Sequence, residues 1–178
     1  MPHSNMRSSF LVTLAAVGAL AATQPGCAAQ ARNLPGTKIS DDKINRSIRD
    51  AVESYRVAVE HGDTEALFLM ASDRYTEDGG TSVGTDDYTI DGLKDVLTGR
   101  FRMVRDVRYS MRYMKIRRGC AATGGEPEPG CTARVEVLID ASFTLVDARG
   151  QDKRIDKRDQ NELVLEWTGD KWLFLSGL

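Results

Sequence analysis

The sequence predicts an α+β domain in which three helices pack on one face of a curved antiparallel sheet. Apolar residues recur at helical spacing between Ile44 and Val59, and the pattern switches to strict two-residue alternation from Val107 onward. A Gly169-Asp170 pair between two Trp-bearing runs then marks a tight hairpin near the end of the chain. Helices first and a meander afterwards is the α+β order.

Each element has its own signals. Ser40 is the expected N-cap of the first helix, with Asp41 and Asp42 placed where carboxylates favour the helix dipole. Ile44, Ile48, Val52, Tyr55 and Val59 form its apolar face, and Gly62 ends it. Asp63 caps a second helix over residues 64–71, which buries Leu67 and Met70 against the first. Residues 72–87 are polar and contain Gly79, Gly80 and Gly84, so a short strand and a lid are expected there. Thr89 or Asp91 caps a third helix whose buried face is Ile90, Leu93, Val96, Leu97 and Phe101.

The strands follow from period two. Val107, Tyr109, Met111 and Tyr113 alternate with Arg108, Ser110, Arg112 and Met114. Val135, Val137, Ile139, Ala141 and Phe143 alternate with polar neighbours in the next strand, and residues 155–167 and 172–175 close the meander. A two-residue turn at Gly169-Asp170 sets Trp167 opposite Trp172 and Leu165 opposite Phe174.

The first 27 residues read as an address. Arg7 precedes a short apolar run over residues 10–22, which is too short to span a bilayer and matches a secretory signal. Gly26-Cys27 resembles the lipobox of bacterial lipoproteins, which makes Cys27 the candidate for lipidation and a lipid anchor the expected membrane link. Gln24 stands where that motif prefers an aliphatic residue, so cleavage within residues 28–31 remains the alternative. Residues 28–39, with Pro35 and Gly36, are then a tether, and residues 40–178 the domain. The expected location is the cell envelope, facing the periplasm or the exterior.

Three cysteines fit this picture. Cys120 and Cys131 flank a tip rich in Gly and Pro and are expected to pair as a structural staple, which leaves Cys27 over. No Cys-x-x-Cys motif favours redox chemistry. The net charge of −2 at pH 7 argues against a nucleic-acid partner, which needs uncompensated cations. His3 lies in the address and His61 at a helix end, so no metal site and no cofactor is expected. Asp86-Asp87 with Glu77-Asp78 matches no calcium-loop spacing. The basic stretch Arg100, Arg102, Arg105, Arg108, Arg112, Lys115, Arg117 and Arg118 is expected to pair across strands with Asp140, Asp156, Asp159 and Glu162, and an anionic partner is the competing reading.

The run from Val52 and Tyr55 through Gly62-Asp63-Thr64-Glu65-Ala66-Leu67, then Ser72-Asp73, a third helix and a meander ending in Trp172-Leu173-Phe174, resembles the nuclear transport factor 2-like superfamily. That resemblance implies a cone-shaped fold, in which the sheet wraps a long first helix and leaves a pocket at the open end. Ketosteroid isomerase belongs to the same superfamily. Its likeness places Tyr55 at the oxyanion-hole tyrosine and Asp78 at the general base, while Leu163 stands where the protonated aspartate of that site would be. The expected function is therefore non-catalytic binding of a small apolar ligand, with Tyr55, Tyr109, Met111, Tyr113 and Asn161 lining the pocket. An isomerase, dehydratase or cyclase using Tyr55 and Asp78 is the alternative. A homodimer formed through the sheet face is the third.

Overall fold

A computed structural model describes residues 32–79, 87–120 and 125–178. The expectations placed on the leader, on Cys27 and on Gly80, Gly84 and Asp86 lie outside the described residues.

Helix α1 spans Lys43–His61 and buries Ile44, Ile48, Val52, Tyr55 and Ala58. Its N-cap is Asp42 rather than Ser40, because the Asp42 carboxylate accepts the Asn45 backbone N–H at 2.9 Å while Ser40 bridges to Asn33. Gly62 closes the helix at φ 64°, a left-handed conformation that glycine adopts without strain. Asp63 caps α2, which spans Thr64–Leu69 and stops two residues short of the expected end. Strands β1 (Thr76–Glu77) and β2 (Tyr88–Thr89) form a small pair, and α3 runs over Ile90–Arg102 with Leu93 and Leu97 buried.

The main sheet contains β3 (Val104–Arg118), β4 (Thr132–Val146), β5 (Asp152–Trp167) and β6 (Trp172–Ser176) in the order β3-β4-β5-β6, antiparallel throughout. The pairing of β3 with β4 shifts register at two places, one between Arg105 and Arg108 where Asp106 takes φ 51°, the other between Tyr113 and Lys115, and such bulges raise local twist. The register across the last turn puts Trp167 against Trp172 and Leu165 against Phe174, as the hairpin spacing requires. The alternation expected along β4 holds for Val135, Val137, Ile139 and Ala141, which are buried, while Phe143 is half-buried.

The core is the apolar face of α1 against the concave face of this sheet. Ile48, Val52, Val135, Val137, Leu163, Leu165 and Phe174 are fully buried. Each such side chain contributes roughly 1.5–3 kcal/mol by leaving water. Trp172 Nε1 donates to Ser47 Oγ at 3.0 Å, which joins the last strand to the first helix across the whole meander.

Part of the expected tether is folded. Asn33 and Ser40 pair, the Leu34 N–H reaches the Ile39 carbonyl at 2.8 Å, and the Thr37 hydroxyl donates to the Leu34 carbonyl at 2.9 Å. Leu34 and Ile39 are 2% and 7% exposed. Residues 32–39 thus pack with the domain, because two apolar side chains flanking a Pro-Gly turn can be buried together when the segments beside the turn bond to each other.

Cys120 and Cys131 are bonded, with Cα atoms 5.4 Å apart, and the staple joins the ends of β3 and β4 beside the 121–130 tip. For a cross-link spanning 11 residues, loop-closure entropy gives about 3 kcal/mol. Cys120→Ser is expected to lower stability by that order in urea unfolding without changing the far-ultraviolet circular dichroism. An unchanged midpoint under oxidising conditions would show that the bond does not form in solution.

Candidate functional site

A predominantly apolar concavity lies between α1, α3 and the β3–β4 end of the sheet. It has a volume of about 200 Å³, and its wall includes Tyr55, Val59, Leu97, Phe101, Tyr109 and Ala141. The helical period brings Tyr55 and Val59 to it from α1, the alternation of β3 brings Val107 and Tyr109, and Leu97 and Phe101 arrive from α3 four residues apart.

Two tyrosines and the exposed Arg100 supply the polarity of this cavity. The Tyr55 and Tyr109 hydroxyls are 3.3 Å apart, and their rings meet edge to face with centroids 6.2 Å apart. Tyr55 is 5% exposed. Burial first, then the neighbouring Tyr109, raises the Tyr55 hydroxyl well above its ordinary pKa. Burial also raises Tyr109. Both hydroxyls therefore stay protonated at neutral pH, able to orient a polar atom but not to accept a proton as phenolates.

Asp78 is not part of this cavity. It lines a separate, wider cleft of about 700 Å³ with Glu77, Asp87, Arg134, Asn161 and Glu162. The five residues expected to line one pocket are thus divided. Tyr55 and Tyr109 line the apolar cavity, Asn161 joins Asp78 in the wide cleft, and Met111 and Tyr113 border a groove beside Pro35 and Thr37. The physical reason is that alternation assigns a side chain to a face but not to a hollow: the groove also takes Arg112, Leu138 and Arg158, and the wide cleft Arg134, Glu162 and Val164, all from the face opposite Val135 and Leu163.

Glu77, the neighbour of the proposed base, has a structural task. Its Oε2 accepts from the Tyr75 hydroxyl at 2.9 Å and from the Gly177 N–H at 2.7 Å, while the Leu178 N–H donates to the Tyr75 hydroxyl at 3.1 Å. Gly177 sits at φ 94°, and a Cβ there would lie 2.9 Å from the Glu162 carbonyl oxygen. Burial and the adjacent Glu77 push the Tyr75 hydroxyl upward in pKa, so it remains a donor to the carboxylate.

A second acid network escaped the sequence reading. Glu166 is 7% exposed and accepts from the Ser72 hydroxyl and from Arg74 Nη1, the latter at 2.8 Å. It ties the segment after α2 to β5, where backbone bonds between Ser72, Met70 and Phe174 also dock that segment on β6. Nothing in the local pattern marks Glu166 as buried, since it lies between Leu165 and Trp167 in an apolar run.

The seam between α1 and the edge strand β3 was equally hidden. Glu60 Oε1 accepts the Tyr109 backbone N–H at 3.1 Å, and Arg56 Nη1 donates to the Tyr109 carbonyl at 3.3 Å. Arg56 also bonds Glu53 and Glu60 at 2.7 Å each, and the Tyr113 hydroxyl donates to Glu53 Oε1 at 2.6 Å. The i,i+3 and i,i+4 spacing of these charges was a visible signal, although it gives no hint that one member reaches a backbone amide. On the convex face the basic stretch is partly paired as expected. Glu162 holds Arg117 and Arg134, and Arg105 pairs with Asp152 rather than with an anticipated acid. Asp159 pairs with Lys157 on its own strand, and Asp156 takes the Ser142 hydroxyl.

With the fold and cavities in view, the comparisons define the class. A conserved protein from Planctomyces limnophilus superposes with a TM-score of 0.56 at 12% identity, covering 74% of this chain and 91% of that one. A ketosteroid isomerase-like protein from Erwinia carotovora gives 0.55 at 16%, covering 73% and 89%, and a scytalone dehydratase candidate from Novosphingobium aromaticivorans gives 0.54 at 16%, covering 74% and 78%. The chain has the nuclear transport factor 2-like fold, with its four-stranded sheet curved but not closed. No family model matches the sequence, and no curated protein matches it. At these identities the likeness concerns architecture, and sites on such scaffolds vary independently of it.

The Glu60 contact has a pH signature. The Tyr109 N–H first, then Arg56, holds the Glu60 carboxyl below its usual value of 4.5. A depressed acid stabilises the fold above its unfolded pKa and loses that contribution as pH falls through the folded value. Glu60→Gln should therefore be less stable than the natural protein at pH 7, with the difference shrinking below about pH 4.5. Urea midpoints at pH 7 and pH 3 check this, and an equal difference at both would remove the ionised contact.

Proposed function

We propose that this is an exported, lipid-anchored envelope protein whose domain binds a small apolar molecule without transforming it. The observation that carries the binding reading is the pairing of the Tyr55 and Tyr109 hydroxyls inside an apolar cavity, with the acids Glu77 and Asp78 in a different cleft. Isomerisation through an enolate requires a carboxylate and an oxyanion donor to converge on the same carbon skeleton. Here the donor and the acid face different spaces, and no Asp or Glu side chain is among the described residues of the apolar cavity's wall. The names carried by the ketosteroid isomerase-like and scytalone dehydratase-candidate structures therefore support a shared container more than a shared reaction.

Size bounds the occupant. An apolar cavity of about 150 Å³ holds benzene, so about 200 Å³ suits a single ring or a short chain. Export and lipidation rest on Arg7, the apolar run and Gly26-Cys27. Membrane attachment would concentrate such a carrier at the surface where apolar molecules partition.

Ala141 faces the cavity from β4. Ala141→Leu should fill the hollow and abolish binding of a small aromatic such as toluene, while the melting temperature stays within about 4 °C. Calorimetric titration measures the first and circular dichroism the second, and retained affinity in the filled variant would place binding elsewhere. Mass spectrometry of the protein extracted from its native membrane should show a lipid-modified Cys27 as the first residue. An unmodified N-terminus within residues 28–31 would replace the anchor with simple secretion.

A further inference from the structure

The geometry points to a small apolar acid, bound as its carboxylate, as the ligand of the Tyr55–Tyr109 cavity, with Arg100 taking the charged end. This inference rests on the binding reading above and adds the chemical class of the ligand.

Arg100 is on the last turn of α3, borders the cavity and is exposed, so its guanidinium can stay hydrated at the rim while its stem covers apolar wall. It has no ion pair or hydrogen bond among the described residues, in contrast to Arg105, Arg117, Arg118 and Arg134 on the sheet, which hold carboxylates. No Asp or Glu side chain is among the described residues of the cavity wall. The C-terminus of α3 contributes about half a negative charge, which the guanidiniums of Arg100 and Arg102 outweigh. A cation at the mouth of an apolar hollow is the complement of a molecule with one apolar body and one anionic end. Arginine suits this role because its planar donors can bind both oxygens of a carboxylate.

The interior supports the same orientation. Tyr55 and Tyr109 present hydroxyls that share one mutual contact, which leaves acceptor and donor capacity for a polar atom of a ligand. The positive field also reaches inward, since Arg100 acts on the Tyr55 hydroxyl against the direction of burial. A neutral hydrocarbon would use the wall alone. A dianion or a phosphate ester would face one cation only, so a monocarboxylate matches the charge at the rim.

The test pairs each acid with its alcohol. Phenylacetate and 2-phenylethanol, and octanoate and 1-octanol, are titrated calorimetrically into the intact protein, Arg100→Gln and Arg102→Gln. The natural protein should prefer the acids by about tenfold, the scale of one charge-assisted hydrogen bond. Arg100→Gln should erase that preference, so that each acid binds no more tightly than its alcohol, while Arg102→Gln, exposed on the same turn but outside the cavity wall, should keep it. Equal affinity for acid and alcohol in the natural protein would overturn the carboxylate assignment and leave the binding reading standing. A preference for acids that survives Arg100→Gln would also overturn it by moving the charge contact elsewhere. Absence of binding by all four probes would sink both readings. Between the pairs, stronger binding of phenylacetate or of octanoate tells a ring-shaped from a chain-shaped occupant.

Discussion

The structure depends on how an edge strand is kept from remaining an edge. Strand β3 borders the sheet, and a bordering strand offers unpaired amides and carbonyls to any extended chain. At Tyr109 this is resolved from within, since Glu60 takes the N–H and Arg56 the carbonyl, as a neighbouring strand would. These contacts set α1 in one register along β3, with Tyr113 bonded to Glu53 one turn earlier and Arg118 to Asp42 at the helix start. The apolar face of α1 supplies the driving force for burial, and the polar seam specifies where along the strand that burial happens.

Tyr109 sits on both sides of this arrangement. Its backbone is held by the helix, and its side chain turns inward to meet Tyr55, so the geometry of the cavity is fixed by the same residue that fixes the helix position. The opposite border of the sheet is treated differently. β6 pairs only with Val164–Trp167 of β5, and the earlier part of β5 carries Asp152, Lys153, Arg154, Asp156, Lys157, Arg158 and Asp159. Alternating charge there opposes strand addition without any covering element.

Two buried or half-buried acids complete the closure of the unit. Glu166 fastens the segment after α2 to β5, and Glu77 gathers Tyr75 and Gly177 around the end of β6. Both are hydrogen-bonded to groups that would otherwise be unsatisfied in the interior, which makes them part of the packing rather than reagents. The consequence for function is a division of labour: carboxylates hold the periphery, and the cavity interior is left to hydrocarbon and two hydroxyls.

Much of this architecture was legible in the residues themselves. The helical stripe from Ile44 to Tyr55, the alternation along β4, the Cys120–Cys131 bond and the Trp167–Trp172 register all follow from local periods and turn chemistry, which act over a few residues. The legible part of the site was the inward direction of Tyr55 and Tyr109. That Asn161 and Asp78 face another cleft, that Leu34 and Ile39 are buried, and that Glu166 lies inside depended on contacts between segments far apart in the chain. Periodicity tells a side chain which face to take. Only the packing of one element against another decides which hollow that face encloses, because the hollow belongs to the gap between elements and has no counterpart in either sequence alone.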